Sequence, residues 1–213
     1  MFRKSSLPSF ALLVAFTMPT SAQLASRPAD EWIVTLDAAA RVQGLKIGEV
    51  LPKLGLKPGQ TVADIGAGSG IFSIAFSRPV KPGGKVYAVE VDGKLIEHIV
   101  DSATEQGITN IEGVFAEYDD PSLPVEVDLA FINDVLHHIE HRDVYLKNLA
   151  KYLKPAGRVA IIDYKPGQGS HAGDPALQVS QEQATAWMAA AGLKPVEVVS
   201  DLYPDRWFVI YGK

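Results

Sequence analysis

The sequence predicts an α/β protein built on a single doubly wound, mostly parallel seven-stranded sheet that closes with a C-terminal antiparallel hairpin. Three observations predict it. From Thr61 onward, short apolar runs alternate with helical stretches; the first run feeds a glycine-rich turn; and the last two runs are separated by only a short polar turn. Strictly alternating strands and helices argue for a parallel sheet whose ligands bind beyond the carboxyl ends of the strands.

The first stretch stands apart from this alternation. Arg3 and Lys4 make a basic start, residues 10–18 are apolar and uncharged, Pro19 breaks the run, and Thr20-Ser21-Ala22 offers small residues ahead of a cut. That is the layout of a secretory signal peptide, with cleavage expected after Ala22. The run has about half the ~20 residues of a membrane-spanning helix, so no stable membrane anchor is expected. The mature chain is accordingly expected to be exported, periplasmic or secreted, with a cytoplasmic chain carrying an irregular start as the alternative. The expected organisation is a leader over 1–22, N-terminal helices over 23–55 and one domain over 56–213.

Between Asp30 and Leu54 the apolar residues Trp32, Ile33, Leu36, Val42, Leu45, Val50, Leu51 and Leu54 fall at helical spacing, and Gly44 and Gly48 interrupt them. This predicts two short helices. Lys57-Pro58-Gly59 is a turn. Strands are then expected at 61–65, 85–91, 111–115, 127–133 and 158–163, each apolar enough to be buried on both faces. Helices are expected at 69–77, 93–106 and 141–153, the last stopped by Lys154-Pro155-Ala156-Gly157. Residues 164–175 carry glycine, histidine and proline without periodicity. Ser180 is placed to cap a helix over 181–191, and strands at 195–199 and 206–211 form the hairpin.

Composition narrows the function. Of 213 residues 47% are hydrophobic, the net charge is −5 and no basic stripe occurs, so a nucleic-acid partner is not expected. Cysteine is absent, which excludes disulfides, thiolate metal sites and a cysteine nucleophile. No metal site is expected.

The chemistry concentrates at strand ends. The first strand runs into Asp64-Ile65-Gly66-Ala67-Gly68-Ser69-Gly70, where the backbone must turn sharply and approach a ligand with no Cβ in the way. The spacing lacks the last glycine of the dinucleotide fingerprint, since position 71 is Ile, and this argues against a nicotinamide cofactor. Glu90 follows Gly70 by twenty residues, where an acid can accept hydrogen bonds from two ribose hydroxyls. The alternative to ribose binding at Glu90 is a solvated strand-end acid, and Asp92 reads as a cap of the next helix.

These segments resemble class I S-adenosylmethionine-dependent methyltransferases. Val62–Gly70 resembles the family's first motif, and Val86–Asp92 the segment that ends in the ribose-binding acid. Asp128–His138 is similar to the fourth-strand motif of the small-molecule branch, which includes ubiquinone and menaquinone C-methyltransferases. Leu153–Arg158 resembles the turn before strand five. The resemblance covers about Leu56 to Tyr164 and implies a Rossmann-like methyltransferase fold, S-adenosyl-L-methionine as cofactor and N-terminal helices that form a lid. It implies that Gly66, Ala67, Gly68 and Gly70 shape the pocket and that Asp64 orients the cofactor's amino group. Glu90 and Val91 would hold the ribose, Glu117 and Tyr118 the adenine, and Asn133 the methionine amine. Glu90 stands where Asp is also usual.

His137 and His138 are the candidates for proton transfer, since histidine titrates near neutral pH. One is expected to face the acceptor and the other to be held by hydrogen bonds. Trp32, Arg41, Lys46, Tyr164, Lys165 and His171 read as lid or surface residues. The expected reaction is direct displacement onto a small-molecule acceptor through O, N or C. A cofactor-binding protein without turnover remains the alternative, and the acceptor and oligomeric state stay open.

Overall fold

The computed structural model describes residues 27–213; the leader read in residues 1–22 lies outside the described residues. Three helices come first, not two: α1 Ala29–Leu36, α2 Ala39–Gly44 and α3 Ile47–Leu54. The apolar spacing lapses after Leu36, and the extended backbone of Ala38 starts a new helix. The Arg41 side chain then bonds back to the Leu36 carbonyl at 3.1 Å, occupying one of the acceptors that a helix end leaves open. Two long-range bonds tie this helical cap to the far end of the chain. Tyr203 donates to the Leu45 carbonyl at 2.6 Å, and Lys46 Nζ to the Leu202 carbonyl at 2.7 Å.

The alternation that follows is β1 Thr61–Ile65, α4 Ile71–Ser77, β2 Lys85–Glu90, α5 Gly93–Glu105, β3 Ile111–Phe115, β4 Val127–Asn133, α6 Arg142–Lys151, β5 Leu153–Tyr164, α7 Gln181–Ala190, β6 Lys194–Val198 and β7 Arg206–Gly212. The seven strands form one sheet in the order β3-β2-β1-β4-β5-β7-β6. All neighbours are parallel except those of β7, which lies antiparallel between β5 and β6. Strand order reverses between β1 and β4, so a crevice opens beyond their carboxyl ends.

Two expectations need correction. Lys154–Gly157 was expected as a helix stop; it belongs to β5, which begins at Leu153 opposite Val127 and shifts register before Arg158 meets Leu129. The helix stops earlier, at Lys151, and the extra residues are absorbed as an irregularity in the pairing. The parallel strands were also expected to be buried on both faces. That holds for β1 and β2 beyond their first residues, but β3 has only Val114 buried because it is the sheet edge.

Apolar residues from the two faces of the sheet make two clusters. One holds Ile65, Val89, Ile132, Leu146 and Trp207; the other holds Phe72, Phe76, Phe131 and Phe208. Phe72 and Phe76 meet Phe131 at centroid distances of 4.6 and 5.1 Å, which seats α4 on the sheet. Full burial of such a ring contributes about 1.5–3 kcal/mol. Asp92 caps α5 through the Lys94 N–H, and Ser180 with Gln183 forms a reciprocal cap on α7.

Candidate functional site

A cavity of about 630 Å³ opens where the sheet order reverses, within the size range of small-molecule sites. Its floor is the chain from Asp64 to Ser69, with the ends of β2 and β4 on either side and α1 and α2 above. Gly66 and Gly70 have φ of +65° and +83°, a region costly for residues with a Cβ. A Cβ on Gly66 would stand 2.6 Å from the Val135 side chain, and one on Gly70 would stand 2.8 Å from Ile99. At Gly68 the nearest atom to such a Cβ is Leu36 Cδ1 of α1, at 3.0 Å. The turn is thus fitted to the α1 helix above it as well as open to the cavity.

Asp64, Gly66, Ala67, Gly68, Glu90, Val91, Glu117, Tyr118, Asn133, His137 and His138 all line the cavity; Gly70 does not, and acts by seating the turn on α5. Asp64 is buried and accepts a 2.6 Å bond from Ser73 Oγ. Burial pushes its carboxyl up to about 7 against the pull of the Ser73 bonds. Glu90 is likewise buried, and desolvation raises it to about 7 although the Gly68 and Val91 N–H groups favour its charged form. Asn133 Oδ1 is buried and has no hydrogen-bond partner among the described residues. Glu117 and Tyr118 are exposed and form the rim after β3.

The histidine side is built differently. His137 is 4% exposed; its backbone N–H donates to one oxygen of Asp163 at 3.1 Å and its Nδ1 meets the other at 2.7 Å. Arg142 donates to the His137 carbonyl at 2.6 Å. His138 packs on it with ring centroids 4.1 Å apart, and its Nδ1 is buried without a partner among the described residues. Burial, with His137 and His171 adding like charge, holds His138 down to about 3, so it is neutral throughout the physiological range. Hydrogen bonds therefore hold His137, while both rings border the cavity.

Trp32, Arg41, Tyr164 and His171 also line the cavity. Lys46 and Lys165 do not: their ammonium groups are bonded to the Leu202 and Pro204 carbonyls. The sequence reading missed Asp134, Asp163, Leu36, Ala116 and Tyr145. Asp134 has φ +60° and lies 3.7 Å from Arg41; burial raises its carboxyl, with His137 and Arg41 opposing. Asp163, an acid at the end of a strand facing a histidine pair, was visible in the sequence, but nothing local says that the two meet.

Comparison with known proteins adds to this geometry. A family model described as a methyltransferase domain matches residues 39–198. The ubiquinone/menaquinone biosynthesis C-methyltransferase UbiE of Pseudomonas putida is 30% identical over 114 residues, which cover 52% of this chain and 44% of that protein. The Vibrio vulnificus protein of the same name is 29% identical over 112 residues, 52% and 43% of the two chains. The chain thus spans less than half the length of the curated relatives it matches. Among solved structures, a SAM-dependent methyltransferase from Aquifex aeolicus superposes with a TM-score of 0.75 and 26% identity, over 87% of this chain and 98% of that one. A magnesium protoporphyrin IX methyltransferase from Synechocystis PCC 6803, solved with bound SAH, superposes at 0.64 with 18% identity over 81% and 84%, a likeness of fold.

Proposed function

The chain belongs to the methyltransferase domain family, and from that premise we propose that it transfers a methyl group from S-adenosyl-L-methionine to a small-molecule acceptor by direct displacement. One observation carries the reading: a single cavity has polar groups suited to that cofactor on one wall and a histidine cluster on the other.

The residues fit the cofactor. Asn133 Oδ1, buried and without a partner among the described residues, suits a donor such as the methionine ammonium, which would remove the cost of leaving it unbonded. Glu90, buried at the end of β2, can accept from both ribose hydroxyls when ionised. Gly66 and Gly68 keep the floor free of side chains, and Ala67 and Val91 line it. Asp64 lies behind the turn, bonded to Ser73, and acts on the amino group directly or through water. Glu117 and Tyr118 at the rim suit the adenine. Bound there, the cofactor supplies a methyl already activated by its sulfonium.

The protein's part is then to align the acceptor and exclude water. The wall bordered by His137, His138, Tyr164 and His171 is left for the acceptor. Because a carboxylate only accepts, His137 Nδ1 donates to Asp163 and the lone pair of neutral His137 is on Nε2. His137, rather than His138, is the ring that Asp163 orients.

Calorimetric titration of the purified chain tests this reading. S-adenosylmethionine and S-adenosylhomocysteine are expected to bind in the micromolar range and NAD not at all. Binding of NAD with no response to either sulfur compound would overturn it.

A further inference from the structure

Three of the chain's five histidines meet at one place, although they come from separate segments: His137 and His138 from the turn after β4, His171 from the loop after β5. The His137 and His138 rings are 5.4 and 4.9 Å from the His171 ring, and one nitrogen from each of the three lies within 4.8 Å of the others. From this geometry we infer that His137, His138 and His171 form a binding site for a borderline divalent transition-metal ion, with an open coordination position on the cavity side.

The ligand chemistry selects the ion. Three imidazoles without thiolate suit zinc, cobalt, nickel or copper, whereas magnesium and calcium need oxygen donors. Three protein ligands with one position left open is the arrangement of a site that binds substrate, not of a closed structural site.

Each histidine is prepared in a different way. Asp163 receives the His137 Nδ1–H, which commits Nε2 as the lone pair and fixes the ring, as carboxylates behind metal-bound histidines do. Asp163 itself is not an available ligand. Its oxygens already accept from the His137 ring, the His137 N–H and the Tyr164 N–H. His138 has a buried Nδ1 with no partner among the described residues. Packing of the three rings as a plain aromatic group would leave that nitrogen unsatisfied; coordination through it would satisfy it.

His171 supplies the adjustment. Zinc–nitrogen bonds of 2.0–2.1 Å put tetrahedral ligands about 3.4 Å apart, so the rings must draw together by up to about 1.5 Å. His137 and His138 are held on the turn after β4, whereas His171 sits half-buried between Gly169 and Gly173 with its carbonyl bonded to the Asp174 N–H and Gln178 Nε2, so rotation of its side chain supplies the shift.

All three rings line the same cavity. On the methyl-transfer reading, an acceptor hydroxyl coordinated at the open position would give its proton to solvent water and present an oxyanion, because a bound cation lowers its pKa. Only this consequence rests on that reading; the metal site does not.

The test titrates the full chain, carrying no histidine tag, with zinc chloride by calorimetry and with cobalt(II) by visible absorption. One ion per chain is expected, with a tetrahedral cobalt spectrum. His171→Ala and His138→Ala should each weaken binding about tenfold or more and abolish that spectrum, while His98→Ala on α5 changes neither. Asp163→Asn should weaken binding ten- to a hundredfold, as loss of a carboxylate behind a ligand does. Thermal melting and S-adenosylhomocysteine titration of the same samples report separately on folding and on the cofactor wall. A wild-type chain that binds no ion, or a folded His171→Ala chain that binds as tightly as wild type, would overturn the site.

Discussion

One wall of the cavity is made largely by backbone and strand ends: the turn from Gly66 to Ser69, then Glu90 at the end of β2 and Asn133 at the end of β4. The facing wall is made by side chains from elements far apart in sequence, with Asp163 on β5 and His171 beyond it meeting the His137–His138 pair. The first wall needs particular φ angles and short residues. The second needs a network of side chains, in which Asp163 holds His137 and burial keeps His138 neutral. The difference teaches that the two halves should fail separately: substitutions on one side should cost binding of the cofactor, and those on the other should cost turnover or a second ligand.

The largest expected effect sharpens that division. His137→Ala should lower turnover on an identified acceptor by ~10²–10⁴, with S-adenosylmethionine affinity nearly unchanged in a parallel titration. Equal losses in both would show that the two walls act as one unit.

An intermediate effect comes from Glu90. Glu90→Gln should weaken S-adenosylmethionine binding about ten- to a hundredfold, since a charge-assisted contact is worth about 1.5–3 kcal/mol. The same substitution should stabilise the ligand-free protein at alkaline pH. Glu90 is raised from 4.5 to about 7 and Asp64 from 3.8 to about 7. Below the unfolded values both states are protonated; between them and about 7 the folded state keeps protons that the unfolded chain has released. Stability therefore falls as pH rises through that window and levels off above it, by an amount on the order of 3–4 kcal/mol per acid. Cofactor binding, which favours ionised Glu90, should strengthen over the same window. Denaturant unfolding and calorimetry from about pH 5 to about pH 8 check both signs. Stability that instead rises across this range would remove the buried-acid account.

The smallest expected effect is at the helices α1 and α2 that border the cavity. Arg41 and Asp134 are about a quarter exposed and 3.7 Å apart, so Arg41→Ala should change stability by less than about 1 kcal/mol. Cofactor affinity should move by less than about tenfold. A loss as large as that for Glu90→Gln would make α1 and α2 part of the binding wall.

The sequence by itself determined the sheet, most of its strands and the cavity wall formed by the glycine turn and the ends of β2 and β4. Strands β1, β3 and β4 lie where the apolar runs place them, and the hairpin pairs antiparallel. These features are local: a glycine at φ above zero, a buried apolar run and an acid at a strand end each leave their mark within a few residues. Tertiary structure alone decided which strands are edges, how the 153–157 segment joins β5, and that three helices cap the site. It also decided the partnership of His137 with Asp163, 26 residues away, and the approach of His171 to the histidine pair. The physical reason is that such contacts depend on how α1, β5 and the loop after it pack over the sheet. A pKa of about 7 for Glu90 or about 3 for His138 reflects burial, and burial belongs to the folded chain as a whole.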